Sequence, residues 1–123
     1  MAKFYLMLGS INALLVILIG AFGAHDLKEK LTVENMAIYQ TAVQYHFYHA
    51  IGLILVGLIA WHIPSSPYPR WSAWLMIMGI VLFSGSLYAL SITDIRWLGM
   101  ISPVGGIAFI LAWLMLTVGI MKS

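Results

Sequence analysis

Four long apolar stretches limit this chain more than any other feature of its sequence. They run over residues 4–24, 42–61, 71–91 and 97–121. Each supplies the roughly 20 mostly apolar residues that a helix needs to cross a bilayer. Backbone groups in lipid must be bonded within their own segment, and these runs lack the alternation of barrel strands. We therefore expect an all-α protein, an antiparallel bundle of four transmembrane helices that forms a single integral membrane domain over residues 1–123.

The overall composition agrees with a lipid-facing surface. Hydrophobic residues make up 63% of the 123 residues and charged residues only 8%, whereas soluble domains are about 45–50% apolar and about 25% charged. Six basic side chains are too few for a clustered basic footprint, so we expect no nucleic-acid partner. The chain has no cysteine, which excludes disulfides and thiolate chemistry.

The first apolar run has some features of a secretory signal. Lys3 precedes it, and small residues lie near its end at Ala21–Ala24. The run from Phe4 to Ala24 is longer than the apolar core of a signal peptide, which has about 7–15 residues. We therefore interpret this run as the first transmembrane helix.

The first connection, residues 25–41, holds five of the ten charged side chains. Thr32 is suited to cap a helix, and Glu34 in the following turn favours the positive end of the helix dipole. Apolar residues then recur at helical spacing, so we expect the second helix to begin near Val33 with an interfacial extension before its membrane span. The second connection is stiffened by three prolines, and the third, residues 92–96, is too short for anything but a tight return.

The polar residues of the apolar runs are concentrated in one half of the expected bundle. With four spans, the two ends of the chain and the second connection share one face of the membrane, here side A; the first and third connections share the other, side B. Each side carries three Lys or Arg residues, so the positive-inside rule gives no orientation. A candidate polar cluster is expected next to side B: His25, His49, Ser84, Ser86, Tyr88, Pro103, Gly105 and Gly106.

The histidines leave two interpretations open. His46 and His49 are three residues apart, a spacing at which two imidazoles on one helix can share a metal ion. His25 can approach them from the first helix, whereas His62 lies about 20 Å further along the axis. The interpretation that we favour is that each histidine forms hydrogen bonds at a helix interface, although ionisable residues inside a membrane are functional candidates.

The hydroxyl residues of the third run do not form a catalytic pattern. Ser84, Ser86 and Tyr88 have no general base at a characteristic spacing, so we interpret them as partners in interhelical hydrogen bonds. A haem needs two axial ligands at matching depth on facing helices, and His25 with His49 is the only plausible pair. We expect no catalytic residue, no metal ligand and no cofactor.

Pro103 leaves the start of the fourth helix open. Proline suits the first turn of a helix, with Ser102 as its cap and residues 97–101 as a short interfacial piece. Alternatively, the helix begins near Trp97 and bends at Pro103, which frees backbone carbonyls toward the polar half. Gly105 and Gly106 allow close approach of a neighbouring backbone in either case.

Four motifs in order resemble the domain-of-unknown-function 423 family, which includes the transmembrane protein 256 relatives of animals. They are Gly20–His25, Tyr45 with His49, Phe83–Tyr88, and Pro103–Gly106. The resemblance covers essentially the whole chain. His46 departs from it, since many members are expected to have glutamine there, which argues against a family-wide role for a His46–His49 pair. The resemblance implies a small four-helix protein of the bacterial plasma membrane, with cytoplasmic termini and no established activity.

Three functions are compatible with these features. The favoured one is a non-enzymatic helix bundle that binds a partner protein, a lipid or itself. The alternative is an oligomeric transporter or channel-like protein that uses the polar half as its site, because four helices are too few for a carrier alone. A histidine-ligated redox protein is the third. We expect membrane lipids as partners, together with a homo-oligomer or a larger membrane complex.

The expected topology can be tested by cysteine labelling, because the chain contains no native cysteine. Single cysteines at Ser66 and Ser123 should react with an impermeant maleimide from the same side of the membrane. A cysteine at Lys30 should react from the opposite side. Labelling of the two ends of the chain from opposite sides would exclude four spans.

Overall fold

Four long helices account for most of the computed structural model, which describes all residues from 1 to 123. They are α1 (Ala2–Leu27), α2 (Val33–His62), α3 (Tyr68–Thr93) and α4 (Arg96–Met121). Each is long and apolar enough to cross a membrane, and the chain contains no strand. The expected all-α bundle of four membrane-spanning helices is confirmed, with helices that extend a few residues beyond the apolar runs.

The start of α2 follows the sequence signal. Thr32 precedes the helix in an extended conformation, and its hydroxyl accepts a hydrogen bond from the Asn35 backbone N–H at 3.0 Å. Without an interruption the helix then continues for 30 residues to His62. At about 1.5 Å per residue, α2 is about 45 Å long, which exceeds the roughly 30 Å of hydrocarbon in a bilayer. The predicted start at Val33 and the Thr32 cap are confirmed.

The turn between α3 and α4 resolves the two alternatives for Pro103. Asp94 ends α3 in the left-handed conformation, with φ of 60°. A single 3₁₀ segment, Arg96–Met100, follows, and regular α-helix begins at Ser102. The regular α-helical part of α4 therefore starts beside Pro103, after the 3₁₀ segment with which α4 begins, and does not run through Pro103 with a bend. The expected cap by Ser102 is wrong, because its hydroxyl bonds to another helix and caps no backbone N–H.

The helices form two pairs, α1 with α2 and α3 with α4, and α2 is the helix that joins the two pairs. α1 packs almost entirely on α2, and α3 packs mainly on α4 while also contacting α2. The main apolar core lies where α2, α3 and α4 meet, and Tyr5 of α1 closes it. Its buried residues are Tyr5, Leu53, Val56, Ala73, Met76, Ile80, Phe109, Ala112 and Leu116. Because α1 has only one close neighbour, most of its surface faces outward.

Glycines mark the closest approaches of these helix pairs. A Cβ atom at Gly9 would lie 2.8 Å from the Ala50 carbonyl oxygen of α2, and one at Gly105 would lie 2.8 Å from the Leu82 carbonyl carbon of α3. Backbone atoms cannot move aside as a flexible side chain can, so these two positions require glycine. Gly106 does not, since its added Cβ would find only Phe83 Cδ2 at 3.8 Å.

Gly105→Ala should lower the free energy of unfolding by about 1–3 kcal/mol, the usual cost of inserting a methyl group into packed structure. Gly106→Ala is the matched control, because alanine is favoured over glycine by up to about 1 kcal/mol in a helix and meets no obstacle there. Reversible unfolding of the purified variants in detergent micelles measures both. Equal tolerance of the two substitutions would contradict the close contact of α4 with α3.

Candidate functional site

The buried polar side chains of the bundle lie on α2, α3 and α4, and most of the bonds that they form between helices involve α2. They connect α2 to each of the other three helices within the membrane-spanning part. An unpaired polar group in hydrocarbon costs several kcal/mol, so bonds of this kind restrict which helix faces can meet.

A hydrogen-bonded row of three side chains crosses the bundle from α1 to α3. His46 of α2 is buried and lies between Asn12 of α1 and Tyr88 of α3. Its Nε2 is 2.9 Å from Asn12 Oδ1, and its Nδ1 is 2.9 Å from the Tyr88 hydroxyl. Asn12 Nδ2 donates to the Leu8 carbonyl at 2.8 Å, which turns Oδ1 toward the ring. His46 therefore donates from Nε2–H, and a neutral ring accepts the Tyr88 proton at Nδ1.

His49 connects α2 to α4. Its Nδ1–H donates to the Tyr45 carbonyl at 2.7 Å, and its Nε2 accepts a bond from Trp113 Nε1–H at 3.0 Å. An indole nitrogen can only donate, so His49 is the neutral tautomer opposite to that of His46. The ring also stacks on Phe109, with centroids 3.5 Å apart and planes within 9°. Both imidazole nitrogens are thus committed to protein partners.

Serine hydroxyls hold α3 to its two neighbours. Ser84 is fully buried and donates to the Ala42 carbonyl of α2 at 2.9 Å. Ser86 lies 2.9 Å from the Ser102 hydroxyl of α4. Ser84 belongs to a π-helical segment, Ile80–Gly85, and the widened turn lies where α3 contacts both neighbours. None of these hydroxyls contacts a general base.

A second polar group closes the side-B end of the bundle. Asn35, buried in the first turn of α2, donates to Asp94 Oδ1 at 3.0 Å and accepts a bond from the Arg96 guanidinium at 3.1 Å. Arg96 also pairs with Asp94 and, at 3.6 Å, with Glu34. Exposed ion pairs contribute about 0–1 kcal/mol, so the buried amide is the main connection between α2 and the α3–α4 turn.

Four members of the candidate polar cluster lie in the interior of the side-B half, but they do not bond to one another. His49, Ser84 and Ser86 are buried and Tyr88 is half-buried. Each uses its polar atoms on a different partner, as described above. The structure therefore gives several separate interhelical bonds where the sequence predicted one convergent cluster, because each side chain leaves its helix in a different direction.

The other four members lie apart. His25 is exposed at the end of α1, in a π-helical turn, and forms no hydrogen bond. Pro103 is exposed at the start of α4. Gly105 is buried against the α3 backbone, and Gly106 is half-buried beside Phe83. His25 does not approach His49, since its side chain points to the surface rather than into the bundle.

Sequence reasoning missed three partners in this network. Asn12 is the only amide in the first apolar run, and a side chain of that kind in a span needs a partner. Trp113 likewise has an N–H that must be satisfied in lipid. Ser72 donates to the Ala112 carbonyl at 2.7 Å and fastens α3 to α4 in the side-A half. For His46 the sequence indicated hydrogen bonding at a helix interface but did not identify its partners.

The two histidines of α2 form hydrogen bonds with different helices. His46 points between α1 and α3, whereas His49 points to α4. No group of three His, Asp or Glu side chains in the chain is close enough to hold a metal ion. The pair at residues 46 and 49 is therefore arranged for hydrogen bonding at two separate interfaces.

An open groove of about 640 Å³ lies between α2 and α4, on the outer side of His49. We call it the aromatic groove. Six rings form much of its wall: Tyr45, Tyr48, His49, Phe83, Phe109 and Trp113. Pro103, Gly106, Ile107 and Ile110 of α4 complete it. The bond from Trp113 and the stack on Phe109 hold the His49 ring in place, so this wall is formed by interactions already described.

Comparisons with known proteins agree on one family. Residues 19–106 match the family model described as "Protein of unknown function (DUF423)". The UPF0382 membrane protein YwdK of Bacillus subtilis is 48% identical over 120 residues, which cover 98% of each chain. A UPF0382 membrane protein of Staphylococcus epidermidis is 44% identical and covers 98% of this chain and 97% of its own. No solved structure matches the chain.

The hydrogen-bonded row can be tested with a pair of tyrosine substitutions. Tyr88→Phe should lower the free energy of unfolding by about 0.6 kcal/mol, the measured average for interhelical bonds in membranes, and by no more than about 1.7 kcal/mol, because it leaves His46 Nδ1 without a donor. Tyr48→Phe should change it by less than about 0.5 kcal/mol, since the Tyr48 hydroxyl bonds only to exposed Gln44.

A double-mutant cycle of Tyr88→Phe with His46→Leu measures the bond itself. The loss from Tyr88→Phe should largely disappear when His46 is already leucine, because no acceptor is then left. Additive losses would show that the row contributes no pairwise energy.

Proposed function

This chain belongs to the DUF423 family of membrane proteins, and we propose that it is a non-enzymatic helix bundle that binds a lipid in the aromatic groove. The four motifs had indicated this family, and the comparisons confirm it. The family descriptions name membrane proteins and give no catalytic activity. The observation that carries the proposal is the groove itself, an aromatic-lined recess at the surface of a bundle whose buried polar side chains, apart from Tyr5, have partners within the protein.

We propose a non-enzymatic role because the side chains that could act in catalysis are hydrogen-bonded to other groups of the protein. A nucleophilic serine needs a base within hydrogen-bond reach, and a catalytic histidine needs a free nitrogen. Ser84 and Ser86 bond to a carbonyl and to another hydroxyl, and both nitrogens of His49 have partners. These side chains are occupied in holding helices together.

The same pattern disfavours the alternative of an oligomeric transporter or channel. A conduction site needs polar groups that can exchange protein partners for a substrate. In the row from Asn12 to Tyr88, both ring nitrogens of His46 are already bonded to side chains of the protein, so neither is free for a substrate. If the groove binds a second copy of the chain instead of a lipid, photocrosslinking will join two copies at the groove.

A lipid fits the groove for two reasons. Tyr45 and Tyr48 lie early in the membrane span of α2, on the side-B half, where acyl chains are the surrounding solvent. The wall is also rigid, because His49 is fixed by Trp113 and Phe109, so an acyl chain orders against a preformed surface. A flat helix face would order it less.

We place the protein in the bacterial plasma membrane with side A in the cytoplasm. The relatives are membrane proteins of bacteria. Side A carries Lys3, Arg70 and Lys122 and no Asp or Glu residue, whereas all four carboxylate side chains of the sequence lie toward side B. An uncompensated cationic surface suits the anionic cytoplasmic leaflet. The two sides have equal numbers of basic residues, but the acidic residues lie only toward side B. This difference favours side A in the cytoplasm, which is also the orientation that the family resemblance implies.

A groove-filling substitution tests the proposal. Ile107 lines the groove and is 58% exposed, and Ile17 of α1 is 63% exposed on a surface away from it. Ile107→Trp should reduce crosslinking of a lipid with a photoreactive acyl chain several-fold, because the new ring occupies the space. Ile17→Trp is the matched control and should leave the yield unchanged.

The crosslinked positions in the native protein should fall on Tyr48 and Ile110 more than on equally exposed residues of α1, as read by mass spectrometry of peptides. A uniform distribution around the bundle would contradict a lipid site. Crosslinks between two copies of the chain at these positions would instead identify the groove as a self-association surface.

A further inference from the structure

A second cavity, of about 550 Å³, lies at the opposite end of the bundle on side A. It is open to the surface and bounded by the first turns of α1, the last turns of α2, and the proline-containing turn that leads into α3. Its wall includes Tyr5, Trp61, Ser65, Ser66 and Arg70. It shares no residue with the aromatic groove, so what it binds is independent of the lipid proposed there.

The Tyr5 hydroxyl is the feature of this cavity that calls for a ligand. Tyr5 is only 2% exposed, and its hydroxyl is the one buried side-chain polar atom in the chain that has no hydrogen-bond partner. Buried donors are nearly always paired, and leaving one unpaired costs free energy. Phenylalanine would fill the same place without that cost. A hydroxyl kept at the wall of a cavity is explained by a ligand that accepts its proton.

The charge at the cavity identifies the class of ligand. Exposed Arg70 lines the cavity together with Tyr5. Arg70 forms no salt bridge, and no Asp or Glu residue occurs on side A to supply one. Arg96 on side B, in contrast, pairs with two carboxylates of its own chain. Arg70 is therefore free to pair with an anion from outside the protein.

We propose that this cavity binds a phosphate group, with Arg70 as its cationic partner and the Tyr5 hydroxyl as a donor. A guanidinium matches phosphate through two parallel bonds. Ser65 and Ser66 supply further hydroxyls, and the start of α3 adds the positive end of a helix dipole. Trp61, exposed beside the cavity, suits the boundary between headgroups and acyl chains. The phosphate belongs to a phospholipid headgroup or is free in solution.

The test uses the full-length protein in maltoside micelles, which contain no phosphate. Phosphatidylglycerol, diacylglycerol with the same acyl chains, and inorganic phosphate are added separately, and binding is measured by native mass spectrometry and by thermal shift. Both lipids offer acyl chains to the aromatic groove, so the cavity is tested by the difference between them. Phosphatidylglycerol should bind one molecule more and give a larger thermal shift than diacylglycerol, because only the former carries the phosphate. Stabilisation by inorganic phosphate as well would identify a soluble ligand; stabilisation by the lipid alone identifies a headgroup. Equal binding and equal shifts with phosphatidylglycerol and diacylglycerol, together with no effect of inorganic phosphate, would overturn the proposal.

Two substitutions assign the contacts. Arg70→Gln should weaken binding by about 10- to 100-fold, the value of a charge-assisted hydrogen bond. Lys122→Gln removes another side-A cation, one that lies over the Tyr68 ring and outside the cavity, and should leave binding nearly unchanged. Equal losses in the two variants would mean that phosphate is held only by the general positive charge of side A, which contradicts a site.

Tyr5→Phe keeps the proposal testable even if Arg70→Gln does not fold. Without phosphate this variant should be at least as stable as the native protein, because it removes an unpaired hydroxyl. With phosphatidylglycerol it should show a smaller thermal shift than the native protein. A loss of stability without ligand, or an unchanged shift with ligand, would show that the hydroxyl does not serve a bound phosphate.

Discussion

Inside a bilayer a polar side chain must find its partner within the protein, and in this bundle most of those partners involve α2. His46, Ser84 and His49 fasten it to α1, α3 and α4 in turn. Lipid is as apolar as leucine, so hydrophobic burial does not by itself choose which helix faces meet. The hydrogen bonds make that choice, and glycines such as Gly105 let the backbones come close enough to form them. The arrangement of the other three helices thus depends on the polar residues of one.

The sequence allows the elements of this fold to be predicted, because length and apolarity define a span without reference to its neighbours. The Thr32 cap and the start at Val33 follow from equally local rules. The face that each helix presents does not, since an apolar run surrounded by lipid has no polar side to mark its orientation. That is why His25 was grouped with His49 although it lies at the surface, and why Asn12 was overlooked as the partner of His46.

The two ends of the bundle differ in how they satisfy charge. Side B neutralises Arg96 with its own carboxylates and a buried amide, whereas Arg70 on side A has none. Most polar side chains of the interior are hydrogen-bonded within the protein. Two recesses are left for ligands, the aromatic groove next to lipid and the cationic cavity at the opposite end of the bundle. Both suit membrane lipids, one through acyl chains and the other through phosphate. This distribution supports the proposal that the protein binds lipid.

The main prediction of this structure is that the polar side chains of α2 are hydrogen-bonded to partners within the protein. Determining the tautomers of the two buried histidines, His46 and His49, is the most direct test of it. Solid-state nitrogen NMR of histidine-labelled protein in bilayers distinguishes the two tautomers, and substitution of either residue assigns the signals. His46 should be protonated at Nε2, because it donates to Asn12, and His49 at Nδ1, because it donates to the Tyr45 carbonyl. Both should be neutral at pH near 7. The reverse tautomers, or a doubly protonated ring at either position, would contradict this network.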